Sequence, residues 1–170
     1  MPGRLPASLD GSDKPGNSAE GLALPQLCYA RSRYAAAAKL CENALAADPG
    51  LAEDRRAQPR YDAACAAALA GAGKDADLPA LEADAKARLR AQAKAWLNAE
   101  LAAWTKVIEA GPDQGRAAAA ILEHWQEDSD LAGVRDQEAL EKLPETERKD
   151  WRELWAEVAA LLAKARGKQT

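Results

Sequence analysis

His124 is the only histidine of the chain, and four acids crowd it: Glu123, Glu127, Asp128 and Asp130. An imidazole beside carboxylates has the parts for general acid–base chemistry or for holding a metal ion. A metal site, however, needs several ligands that converge on one point. One imidazole among surface acids reads instead as a surface or helix-end histidine. The segment Asp128 to Asp136, D-S-D-L-A-G-V-R-D, alternates acids in the manner of a calcium loop. It lacks the third acid and the closing bidentate glutamate of that loop. A turn explains it better: Asp128 or Asp130 caps, Gly133 gives permissive backbone, Leu131 and Val134 enter the core, and Arg135 pairs with an acid. No catalytic, cofactor-binding or metal-ligating residue is assigned from the sequence.

Two other sets invite a functional reading. Lys86, Arg88, Arg90 and Lys94 could hold an acidic peptide or a phosphate, against the simpler reading of a solvated helix face. Five tryptophans, Trp96, Trp104, Trp125, Trp151 and Trp155, fall on apolar stripes. Wide rings there fill the gaps that alanine-rich partners leave, so core packing is preferred to an aromatic ligand box. Cys28, Cys41 and Cys65 lack metal-ligand spacing and sit in apolar helical patterns, which makes them small buried hydrophobes in a reducing cytoplasm.

The elements that would position these residues are helices. Alanine occurs 43 times in 170 residues and phenylalanine not at all. Alanine has the highest helix propensity and lets helix backbones approach closely. β-branched residues are few, which disfavours strands. The fold class is therefore all-α. The net charge of −4 is ordinary, but Glu123 to Glu157 holds twelve acids against five bases. That balance argues against a nucleic-acid partner, which would want a large basic surface. No apolar run approaches the length of a membrane span, and the N-terminus lacks the apolar core of a signal peptide.

Residues 1–17 are rich in Pro, Gly, Ser and Asp and read as a disordered tail or linker, as do residues 167–170. The all-helical domain spans residues 18–166. Its first helix covers about Ser18 to Ala30, with Pro25 kinking it or delaying its start. The second covers Arg33 to Ala47, after a turn at Arg31-Ser32-Arg33. The third covers Pro59 to Ala72, stopped by Gly71 and Gly73. A polar insertion, Lys74 to Ala80, precedes a long fourth helix from Pro79 to Ala110. Its stripe is Leu89, Ala93, Trp96, Leu97, Leu101, Trp104 and Ile108. The fifth helix covers Asp113 to Gln126. A short one is expected at Asp136 to Glu141, and the last opens at Pro144 and ends near Arg166.

Arg33 to Pro49 reads R-Y-A-A-A-A-K-L-C-E-N-A-L-A-A-D-P. It resembles the second helix of a tetratricopeptide repeat, with Tyr34, Ala37, Ala44 and Pro49 at the family's aromatic, small-residue and closing-proline places. R-Y-D-A-A-C-A-A-A-L-A, from Arg60, resembles the first helix of a second repeat. With L-A-L-P-Q-L-C-Y from Leu22, A-W-L-N-A-E-L-A-A-W from Ala95 and H-W-Q-E-D-S-D-L-A-G-V-R-D from His124, these stretches resemble the C-terminal region of planctomycete-type serine/threonine protein kinases and related repeat proteins. The resemblance implies tetratricopeptide-like hairpins followed by a helical bundle. The kinase signatures themselves are absent: no Gly-rich loop, no H-R-D, no D-F-G.

The reading that follows is a non-enzymatic protein-interaction or scaffolding module, without cofactor, cytoplasmic, beside a signalling protein such as a kinase. Its partner is a protein or peptide, met on the first and third helices, or a second copy of the chain. The alternative is a purely structural or dimerising appendage with no peptide groove.

Overall fold

A computed structural model describes residues 18–53, 58–75, 81–111 and 114–167. The expected tail at residues 1–17, residues 168–170 of the tail expected at 167–170, the Pro79 start of the fourth helix and the Asp113 start of the fifth lie outside those residues, while Gly167 belongs to the last helix instead of the tail. All regular structure among the described residues is helical. The α-helices are α1 (Ser18–Ala30), α2 (Tyr34–Ala47), α3 (Pro59–Gly71), α4 (Ala83–Ala110), α5 (Gly115–Glu127), α6 (Ala132–Arg135), α7 (Gln137–Leu140) and α8 (Glu145–Gly167). Short 3₁₀ turns follow α2 and α5, at Pro49–Glu53 and Ser129–Leu131. The chain divides into two compact units, Met1–Trp96 and Leu97–Thr170.

In the first unit α1 packs on α2, and α2 on α3. Alanine makes this possible: Ala36, Ala37, Ala38 and Ala44 of α2 and Ala63, Ala64, Ala66, Ala67, Ala68 and Ala70 of α3 are buried. Leu40, fully buried, is the large apolar side chain at the centre of α2. Proline removes one backbone donor from α1, yet the helix runs from Ser18 through Pro25 without a delayed start.

Two helices of this unit end the same way. The N–H of Arg33 donates to the carbonyl of Cys28 at 2.8 Å, and that of Ser32 to Tyr29 at 2.9 Å. The N–H of Lys74 donates to Leu69 and that of Gly73 to Ala70, both at 3.0 Å. Each set is the paired terminal bonding of a Schellman cap, which requires one left-handed residue. Gly73 fills that place after α3 with φ +80°, whereas Ser32 fills it after α1 with φ +59°. Gly73 is therefore the true stop signal of α3.

Gly71 has another role. A Cβ there would lie 2.6 Å from Arg90 Cγ and 3.1 Å from the Lys86 carbonyl oxygen, so the missing side chain lets α4 approach the end of α3.

Asp48 and Pro49 close α2 as the sequence suggests. Asp48 has left the helical region, at φ −141° and ψ 86°, as the clash with a following proline ring demands. Its carboxylate accepts from the N–H of Gly50 at 3.2 Å and starts the 3₁₀ turn.

In the second unit α5 packs on α8, and α6 packs on α7 and α8. The core takes Leu101, Trp104 and Ile108 from α4, Leu122 and Trp125 from α5, and Trp151, Leu154, Val158 and Leu162 from α8. A fully buried leucine contributes roughly 1.5–3 kcal/mol by leaving water, so these stripes dominate the unit's stability. Helix α8 opens with Glu145 and Glu147 and closes with Lys164 and Arg166, the charge order that complements a helix dipole. The connection expected to be one short helix holds two, because Ala132–Arg135 also forms a turn of helix.

Candidate functional site

His124 lies in the last turn of α5 with its side chain 63% exposed, and its Nε2 is 3.2 Å from Asp128 Oδ2. That carboxylate is engaged on its other oxygen, where Oδ1 accepts from the N–H of Asp130 at 3.0 Å. The pair joins a helix-end histidine to the residue that starts the next turn.

The rest of the Asp128–Asp136 segment is structural. Arg135 donates one guanidinium nitrogen to two carbonyls, of Trp125 at 3.1 Å and of Asp128 at 2.6 Å. These are carbonyls at the end of α5, which have no partner within their own helix. Its Nε donates to Asp136 at 3.1 Å. Leu131 and Val134 are fully buried. Trp155 of α8 donates its indole N–H to the Val134 carbonyl at 2.9 Å. The most distinctive stretch of the sequence thus spends its polar groups on holding a corner. One detail differs from the sequence reading: Gly133 lies inside α6 and needs no left-handed backbone.

The basic set is also largely accounted for. Arg90 donates to the Gly71 carbonyl at 3.0 Å, completing the C-terminus of α3. Lys86 Nζ lies 3.8 Å from where a Cβ of Gly73 would be. Two of the four cations therefore face the negative end of a helix dipole, and of the four Arg88 alone is exposed, the others being half-buried.

Four tryptophans, Trp96, Trp104, Trp125 and Trp151, are buried, and Trp155 is half-buried. The three cysteines are buried and in no disulfide. Burial, then the charges of Asp62 and Cys28, push the Cys41 thiol up to about 12, so it stays protonated and is no nucleophile.

The face expected to meet a partner needs correction. Helix α3 was to share it with α1, but ten of its thirteen residues are buried, from Pro59 and Tyr61 to Gly71. Asp62 alone is exposed on it, with Arg60 and Leu69 half-buried. A helix apolar all round is a core helix.

Sequence reasoning missed a groove of about 500 Å3 between α4 and α8. Leu101 and Leu161 line it with Ala102 and Ala160, and Asn98, Thr105, Glu157 and Lys164 complete its lining. The Thr105 hydroxyl is turned back onto the Leu101 carbonyl at 2.7 Å, and Lys164 pairs with Glu109 at 3.2 Å. Small Ala102 and Ala160 were the available signal, but in a chain one-quarter alanine they do not stand out. A second depression, on α8, combines Arg148, Lys149 and Arg152 with Glu145 and Glu153, a nearly balanced set.

Comparison of the chain with protein-family models, curated proteins and solved structures found no match. The class that the fold defines is an all-helical protein, with no strand among the described residues. No helix of the described residues is long and apolar enough to cross a membrane.

Proposed function

We propose that this chain is a non-enzymatic protein-interaction or scaffolding module of tetratricopeptide type. The observation that carries the reading is the serial packing of α1 on α2 and α2 on α3 through alanine faces. Helical-repeat proteins are built from such hairpins, and their use is to display helix surfaces to other proteins. The structural engagement of His124, Asp128 and Arg135 supports a role other than catalysis. The resemblance of its sequence stretches to kinase C-terminal regions favours a setting beside a signalling protein, and three buried thiols fit a reducing compartment such as the cytoplasm. A kinase domain in the reading frame upstream of Met1 would bear out that setting.

The test is crosslinking with mass spectrometry on the folded chain, against Ala67→Pro as an unfolded control. A protein enriched by the wild type, with crosslinks on α1 or α2, supports the module. Absence of any enrichment over the control overturns it.

The burial of α3 favours a second reading, a structural or dimerising appendage without a peptide groove. Light scattering across concentration separates the two. Concentration-dependent dimers with no enriched partner would establish the appendage.

A further inference from the structure

We draw no further inference here: the strongest candidate, the groove between α4 and α8 lined by Leu101, Ala102, Ala160 and Leu161, carries nothing because nothing in the structure shows what covers it.

Discussion

The carboxylate of Asp75 accepts a hydrogen bond from the backbone N–H of Ala35 at 2.6 Å, across forty positions of sequence. Ala35 is in the first turn of α2, whose own N-cap, Arg33, offers no side-chain acceptor. A residue that follows α3 therefore performs the capping that α2 lacks. Removing a side-chain cap typically costs about 1 kcal/mol. Asp75→Ala is expected to lower unfolding free energy by about that much in urea titration, while Asp75→Asn, which keeps an acceptor, retains most of it. A change below about 0.3 kcal/mol for Asp75→Ala would show that the cap does not form.

Ser32 and Gly73 occupy equivalent positions in two helix caps, and only one of them is glycine. A left-handed non-glycine residue carries roughly 1–2 kcal/mol of strain, part of which glycine's larger unfolded-state entropy offsets. Ser32→Gly also loses the 3.3 Å contact from the Tyr34 hydroxyl, a long and weak one. The expected outcome is a small net gain, up to about 1 kcal/mol, seen as a higher Tm. Gly73→Ala should move Tm the opposite way. Equal signs for the two variants would refute the shared geometry.

Gly71→Ala tests the close approach of α3 and α4. The new methyl meets the flexible Arg90 stem at 2.6 Å and the fixed Lys86 carbonyl at 3.1 Å. Overpacking of this kind costs about 1–3 kcal/mol. Shortening the stem relieves the closest of these contacts, while the Lys86 carbonyl and the Arg90 backbone nitrogen at 3.3 Å remain, so the penalty should shrink in an Arg90→Ala background. A double-mutant cycle in chemical denaturation reads that coupling. Strict additivity would mean that the arginine stem simply moves aside.

Much of this architecture was legible because large apolar side chains mark faces. The α8 stripe of Trp151, Leu154, Val158, Leu161 and Leu162 is buried as its spacing requires. The turn chemistry of Asp128 and the burial of Leu131 and Val134 were legible too, since acid, glycine and apolar residues alternate there in a short span. Helix α3 shows where legibility stops. Six of its thirteen residues are alanine and one is glycine, spread around its faces, so no stripe of large side chains tells which side is covered. The Asp75 cap and the Gly71 contact were hidden for a different reason. Each depends on a partner far along the chain, and no local pattern announces it. The same holds for the α4–α8 groove, whose lining comes from two helices far apart along the chain.

Cys41 gives an alkaline signature. Its thiol, held by burial and by the neighbouring Asp62 and Cys28, is pushed up to about 12 when folded, against 9.0 for a free cysteine thiol. Between those values the unfolded chain binds fewer protons than the folded one. The contribution is therefore complete below pH 9 and is lost as pH rises toward about 12, by no more than about 1.4 kcal/mol per pH unit. Subtracting the stability profile of Cys41→Ala from that of the wild type isolates it from other groups. The difference should slope downward above pH 9 and be flat below it. A flat difference throughout would show that the folded thiol titrates normally.

Arg135 and Trp155 hold one corner from two sides. The guanidinium takes the Trp125 and Asp128 carbonyls, and the indole takes the Val134 carbonyl one residue before that arginine. Because the two act on adjacent residues, their losses should not add. Arg135→Met leaves two carbonyls without their charged donor and is expected to cost about 1.5–3 kcal/mol. Trp155→Phe removes one neutral bond and some contact area, for about 1 kcal/mol. Lysine at position 135 supplies charge but not the planar fork, so Arg135→Lys should recover only part of the loss. Hydrogen exchange of the α6 amides is the decisive readout. Both variants should speed exchange there while leaving the amides of α2 unchanged. Uniform acceleration across the chain would mean that the corner is not a local clasp.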